Sequence, residues 1–413
     1  MTDHEGQSIR ARPGPAPAGV IGYVVFLLIG WSGLLVPSLI RSIETGFAQS
    51  DAGMGVFYFI YAVAYATGSF GGGVATERLG RRTVLSAAAA LHGAGFVLLG
   101  TAPAWAIFLA AAIPAGFGAG ALDGGANGLF LDLYRSARGR SMNLLHAFFS
   151  FGALTAPVAV GRLVEAGATY GPIIAITGLV ALSVAVALVV VPMPSGRHDR
   201  VGKRQTTDDV SRPGASAAGR WSVPLILLAV SIACYVASEI GVSSWVVRFL
   251  DPAPLAVATT ALSLFWGGLA VGRLVAAKLA DRFDHTRFAT GAAIATGIAL
   301  VGAILVPSLP VSIALFAVTG FATGPVFPMI IAIGGDRYPE RSAAVSGFLA
   351  GAAVTGSIIY PPIMGFLSVT VGLTVAMFGN VLLALACAGA LVLSGRTHDG
   401  ARAGGTSAAA AAG

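Results

Sequence analysis

Apolar residues run along this chain in blocks far longer than the stripe or alternation that a water-soluble core requires. Reading the runs between charges, prolines and glycines gives twelve, starting near residues 18, 52, 83, 104, 141, 170, 222, 256, 287, 310, 342 and 371. A bilayer core about 30 Å thick takes about 20 helical residues per crossing. Each run therefore predicts one transmembrane helix, and the longest predict tilt rather than extra crossings. A membrane barrel is excluded, because its strands alternate weakly over about ten residues. The first run begins near Ala18 and extends past Pro37, too long for the apolar region of a secretory leader, and no small-residue cleavage site follows it. The longest polar stretch, Pro194 to Arg220, is rich in Ser, Gly, Arg and Asp and has no hydrophobic period, which predicts a flexible linker. The expected organisation is a tail at 1–17, a six-helix bundle at 18–193, the linker at 194–220, a second six-helix bundle at 221–393 and a disordered tail at 394–413.

Composition narrows the class. Hydrophobic residues make up 56% of the 413, charged residues 10%, and the mean hydropathy is +0.82. A soluble domain devotes roughly a quarter of its residues to charge, so a soluble enzyme, a disordered chain and a nucleic-acid reader are disfavoured. The net charge of +7 sits in short clusters between apolar runs rather than in a stripe on a polar domain, and no nucleic-acid partner is expected. Placing the N-terminus in the cytoplasm puts 21 of the 25 Lys and Arg on that side, three (Arg41, Arg162, Arg248) outside and one, Arg273, inside a span. That asymmetry predicts cytoplasmic termini and an even number of crossings. Arg outnumbers Lys by 23 to 2, and Ala and Gly abound; this reads as the codon bias of a high-GC bacterial genome and predicts the bacterial inner membrane. Cys234 and Cys387 both lie in apolar runs and form no disulfide framework. No nucleotide loop, metal cluster or nucleophile–base pair occurs, so neither an enzyme nor a cofactor is expected. The bilayer and a small-molecule solute are the expected partners of a chain acting as a monomer.

The two halves repeat. With a shift of 204 residues, Gly68 falls on Gly272, Glu77-Arg78 on Asp281-Arg282, and Gly116, Phe117 and Gly120 on Gly320, Phe321 and Gly324. Asp132 and Tyr134 fall on Asp336 and Tyr338, and Gly152, Pro157 and Gly161 on Gly356, Pro361 and Gly365. One gap-free offset holding across four helices predicts a 6+6 arrangement of parallel repeats with a site at the midplane between them.

The segment Gly73-Val-Ala-Thr-Glu77-Arg78-Leu-Gly80-Arg81-Arg82 resembles the helix 2–3 loop signature of the major facilitator superfamily, and Asp281-Arg282-Phe-Asp-His a decayed second copy. The resemblance implies that Gly73, Glu77, Arg78, Gly80, Arg81, Arg82, Asp281 and Arg282 form a gating latch that closes the cytoplasmic side. Glu77 stands where the family has Asp, which implies a longer, looser latch; positive-inside topology alone is the plainer reading. A narrower resemblance, to the fucose-permease-like branch, lies in Asp123-Gly-Gly-Ala-Asn127, Asn143-Leu-Leu-His146, Glu239-Ile-Gly-Val-Ser-Ser-Trp245, Phe265-Trp266 and Gly324-Pro325-Val-Phe-Pro328. Sugar:proton symporters of that branch carry a helix-4 acid with an Asn four residues on, as Asp123 and Asn127 stand here. Their helix-1 acid is missing: the comparable position is Gly33.

Polar groups at membrane depth are the default site candidates. Asp123 lies nine residues before Asp132, about 13 Å along a helix, and Asn127 shares its face. Asp123 and Glu239 are the candidate proton-coupling groups. Asn127, Asn143, His146, Trp266 and Arg273 are the candidate solute-binding groups, with Phe148, Phe149, Phe265 and Phe327 as further aromatic surface. Each has a plainer alternative. Asp123 and His92 suit helix-to-helix hydrogen bonds, Glu239 and Arg273 a structural ion pair, and the aromatics ordinary packing. Gly152 to Gly161 with Pro157 faintly resembles the helix-5 motif of proton-driven exporters but fits a hinge as well. The expected function is proton-coupled uptake of a small polar solute, a sugar or polyol, by alternating access. Proton-antiport efflux of a drug-like metabolite and a non-transporting sensor are the rivals.

Overall fold

The computed structural model describes residues 17–134, 138–193, 222–279 and 282–411. The linker at 194–220 and Asp281 lie outside this set, as does most of the N-terminal tail. Fourteen α-helices form twelve crossings among the described residues. Ten crossings are single helices: α3 (Asp51–Leu79), α4 (Arg81–Thr101), α5 (Trp105–Leu133), α6 (Arg138–Glu165), α7 (Tyr170–Val190), α8 (Val223–Phe249), α9 (Leu255–Leu279), α10 (His285–Leu305), α13 (Ser342–Val371) and α14 (Leu373–Ala411). The first and tenth are broken. Pro37 has no N–H to give the Gly33 carbonyl one turn back, and the chain bends between α1 (Pro17–Gly33) and α2 (Leu35–Phe47). Pro325 and Pro328 do the same between α11 (Leu309–Thr323) and α12 (Val326–Arg337). The outer helices show large apolar side chains such as Val190 (75% exposed) and Leu382 (68%), a surface suited to hydrocarbon and not to water. The chain is a multi-pass membrane protein.

The 204-residue offset reappears in the packing. A Cβ on Gly68, Gly116 or Gly120 of the first half would strike the carbonyls of Phe117, Tyr61 and Tyr65. A Cβ on Gly272, Gly320 or Gly324 of the second would strike those of Phe321, Phe265 and Leu269. Glycine lets α3 and α5, and equally α9 and α11, approach backbone to backbone.

The core shows how the halves sit. At the end holding Phe47, Asp51, Glu165, Phe249 and Val371, one apolar cluster takes in Leu39, Phe57 and Val160 of the first half with Trp245, Phe265 and Met364 of the second. Toward the opposite, Arg-rich end it divides. Phe26, Leu85 and Phe130 belong to a cluster of the first half, and Leu228, Ile330 and Leu391 to one of the second. The bundles are fused at the first end, here called the distal end, and part toward the basic end.

One boundary differs from expectation. Instead of a disordered tail from residue 394, α14 continues to Ala411, and Ser394 is fully buried, its hydroxyl donating to Pro224 O at 2.8 Å. The helix is already nucleated by the crossing and anchored at Ser394, so each further residue adds only the cost of propagation.

Candidate functional site

In the first half, Gly120 lets α3 lie against α5, and Tyr65 on α3 reaches the carboxyl on α5. The Tyr65 hydroxyl donates to Asp123 Oδ2 at 2.9 Å, and Asn127 Nδ2 donates to Asp123 Oδ1 at 3.0 Å and to its carbonyl at 3.0 Å. Asn127 Oδ1 is buried with no hydrogen-bond partner among the described residues. Asp123 and Asn127 thus stand on one face, as their spacing predicts, and Tyr65, which the sequence reading missed, completes the group. Only an i to i+4 signal within one helix was readable; Tyr65 is 58 residues away.

In the second half, Tyr235 stands one turn before Glu239 on α8 and donates its hydroxyl to Glu239 Oε2. Glu239 is buried. Arg273 on α9 faces Tyr235 and Glu239 electrostatically, but no nitrogen–oxygen contact within 4 Å joins Arg273 to Glu239 among the described residues. The direct ion pair that the sequence allowed is replaced by an arrangement with the tyrosine hydroxyl bound to the acid. Trp266 Nε1 donates to Ser243 Oγ at 2.9 Å.

The seam between α6 and α9 carries the rest. Near the distal end it is tight: a Cβ on Gly161 would meet Thr259 Oγ1 and Ala256 Cα, and Val158 N donates to Ser263 Oγ at 3.1 Å. Further along, Phe149 and Trp266 meet with ring centroids 5.9 Å apart. Beyond them His146 is exposed, edge-on to Phe26 at 5.2 Å and within electrostatic reach of Arg273. Asn143, one turn nearer the basic end, is exposed as well. Asn143, His146 and Phe149 therefore mark one line of α6 along which the halves separate. Phe265 is fully buried in packing, Phe148 stacks on Tyr23 at 4.7 Å, and Phe327 lies 6.2 Å from Tyr235. His92 is a structural group: its ring nitrogens lie 2.9 Å from Ala115 O and 3.0 Å from Ser32 Oγ, with no exposure.

The latch motif is wired within its own half. Gly80, at φ +82°, turns α3 into α4. Arg81 pairs with Asp132 at the end of α5, and Arg82 Nη2 donates to Val191 O, just past α7, at 3.2 Å. Gly73 and Arg78 are exposed, Arg282 likewise, and the side chain of Glu77 lies outside the described set, with Asp281. In the second copy His285 Nδ1 pairs with Asp336 Oδ2 at 2.9 Å, the positions that correspond to Arg81 and Asp132 at the 204-residue shift. Arg337 takes over the tether, donating to Ser394 Oγ at 2.6 Å and to Thr286 Oγ1 at 3.1 Å.

Twelve crossings, two repeated halves and ionisable groups held between helices at membrane depth define a membrane carrier. Two stretches, residues 20–255 and 215–411, match the sequence profile of the Major Facilitator Superfamily, and the chain belongs to that family. It is 23% identical over 390 residues to the uncharacterized MFS-type transporter YfkL of Bacillus subtilis, covering 92% of this chain and 97% of that one. It is 25% identical over 365 residues to the glucose/galactose transporter of Brucella abortus, covering 84% and 86%. Among solved structures, a bacterial homologue of the human lysosomal transporter Spinster, inward-facing and occupied, superposes with a TM-score of 0.77 at 15% identity over 94% of this chain and 98% of that one. The E. coli fucose:proton symporter FucP superposes at 0.60 with 17% identity over 92% and 98%. The chain is a secondary transporter of the family's fold.

Proposed function

We propose that this transporter takes up a small polar solute, a sugar or polyol, together with a proton, across the bacterial inner membrane with both termini in the cytoplasm. The basic end then faces the cytoplasm, and the conformation described is open inward. The observation that carries the reading is the Tyr65–Asp123–Asn127 group. Burial disfavours the charged form of a carboxylic acid and access to water restores it, so one such residue can load a proton on one side and release it on the other. Asn127 Oδ1, buried without a donor, is an acceptor suited to a solute hydroxyl, since leaving it unpaired costs about 1–3 kcal/mol. Across the parting halves, His146, Trp266 and Arg273 offer further donors and an aromatic face. The likeness to glucose/galactose transporters supports the substrate class.

The test is transport by proteoliposomes holding the purified chain, screened against labelled sugars and polyols under an imposed pH gradient. Accumulation is expected for one class, and Asp123→Asn is expected to abolish it while sparing exchange of labelled for unlabelled solute. Accumulation by Asp123→Asn with unaltered pH dependence overturns Asp123 as the coupling group and passes the role to Glu239. Solute leaving as protons enter overturns uptake in favour of antiport.

A further inference from the structure

The distal end carries a charged group that the sites above do not use. Arg41 on α2 donates from Nε to Val247 O at 2.8 Å and from Nη1 to Ala253 O at 2.7 Å, and pairs with Asp251 at 3.0 Å. Arg248 on α8 points Nε at two carboxyls at once, Glu44 Oε2 of α2 at 3.0 Å and Asp51 Oδ1 of α3 at 2.8 Å, and Nη1 at Asp251 Oδ2 at 2.9 Å. Ser368 of α13 donates to Asp51 Oδ2, and Tyr58, whose hydroxyl donates to Ser244 O at 3.2 Å, lies alongside both acids. Arg41, Glu44 and Asp51 belong to the first half, Arg248 and Asp251 to the second. The group seals the seam and borders a cleft of about 370 Å³.

Three carboxyls here face two guanidiniums. Glu44 and Asp51 are 8% and 6% exposed and lie within hydrogen-bonding reach of each other. Glu44 Oε1 is buried with no donor among the described residues. Two ionised carboxylates are acceptors only, and sharing one side of an arginine leaves them repelling each other. A single proton on the pair turns that repulsion into a hydrogen bond and leaves the whole group neutral.

We propose that Glu44 and Asp51 share one proton in the closed distal seam, taken up from the distal side as the halves close and released to it as they open. On opening, Arg248 leaves with Asp251, to which it is already paired, and Arg41 remains with the two acids of its own half. Water then reaches the acids and the proton departs as hydronium. Closing reverses each step, so the closed seam binds one proton more than the open one and acidity on the distal side favours closure. The inference rests on the alternating-access reading above, but not on Asp123 as the coupling group or on any particular solute.

The experiment is a distance measurement between spin labels on Ala166→Cys and Thr370→Cys, exposed positions at the distal ends of the two halves, in the full chain reconstituted without solute. For a one-proton difference the open-to-closed ratio rises by up to about tenfold per pH unit where the pair titrates. The long-distance population is therefore expected to grow as the medium is taken from acidic to alkaline. Glu44→Gln, a permanent donor to Asp51, is expected to hold the short distance throughout, and Asp51→Asn to do the same. An unchanged distance distribution across this range in the otherwise native chain overturns the proposal without any acid variant. So does a titration in either acid variant that matches the native one. A chain that passes this test but accumulates no solute leaves the proton site standing and removes the uptake reading, so the two fail separately.

Discussion

The amide of Asn127 reports the state of its neighbour. With Nδ2 toward Asp123 it donates to a carboxylate; turned over, Oδ1 would accept from the protonated acid, and the freed NH2 would face wherever a solute lies. Protonation of Asp123 thus turns the amide donor toward the solute, which links occupancy to protonation without a second site. Tyr65→Phe removes the other donor to Asp123. It is expected to lower thermal stability by about 0.5–1.5 kcal/mol, the ordinary worth of one hydrogen bond, and to weaken coupling more than solute affinity, read as the ratio of gradient-driven accumulation to exchange. Equal losses in both would make Tyr65 a packing residue. In the second half, the bond from Tyr235 to Glu239 predicts where the interaction energy lies. A double-mutant cycle of Tyr235→Phe with Glu239→Gln is expected to show coupling of about 1 kcal/mol or more, larger than the cycle of Arg273→Gln with Glu239→Gln. A larger Arg273 coupling would restore the direct ion pair. The i to i+4 pairs at 123/127 and 235/239 were legible in the sequence because one helix turn fixes them. Tyr65, the partner of Asp123, was not, because a contact between helices depends on which glycines permit approach. Glu44, Asp51 and Arg248 read only as charges flanking apolar runs, since nothing along the chain brings position 44 to position 248.

At the scale of helices, the bilayer explains why so much was legible. Hydrocarbon forces each crossing to be long, apolar and hydrogen-bonded within itself, so the span starts read from composition lie within a few residues of the helices observed. The breaks at Gly33–Leu34 and Gly324–Pro325 are set by Pro37 and by Pro325 and Pro328, but they fall at positions that do not correspond between the halves, so the repeat gave no warning of them. The repeat does reappear in the stitches at the basic end, with one change of chemistry. Arg81–Asp132 sets a guanidinium against its carboxyl, whereas His285–Asp336 sets an imidazole there. The half-exposed setting limits each to about 0–1 kcal/mol. His285→Ala is therefore expected to lower the thermal stability of the second half by no more than about 1 kcal/mol. A larger loss would mean that the pair holds the second half together more firmly than a surface ion pair does. Because Arg81 and Arg82 bind within their own half, they fasten α4 to α5 and α7 rather than one bundle to the other.

Across the whole molecule, the seam that holds the bundles together is distal, and its backbone contacts are made by glycines from both halves. A Cβ on Gly55 would meet Pro362 O, one on Gly365 would meet Asp51 O and Gly55, and one on Gly161 would meet Ala256 Cα and Thr259. Each lies between halves and not inside one, so a larger side chain there strains the closed seam while leaving the packing of either bundle nearly untouched. Overpacking of this kind costs about 1–3 kcal/mol. Applied to one state of a two-state carrier, that shifts the open-to-closed ratio of the distal end by about five- to 150-fold, at 1.4 kcal/mol per tenfold. Gly161→Leu and Gly365→Leu are therefore expected to populate the long distance between labels at Ala166→Cys and Thr370→Cys even at the acidic pH that favours closure, and to slow solute release at the basic end in proportion. Gly73→Leu, at an exposed position of the latch motif with open space around its backbone, is the matched control and is expected to leave that distance unchanged. If the two seam variants keep the short distance while remaining folded, the bundles do not part along α6–α9 and α3–α13, and the rigid-body reading of the seam fails whatever the solute is.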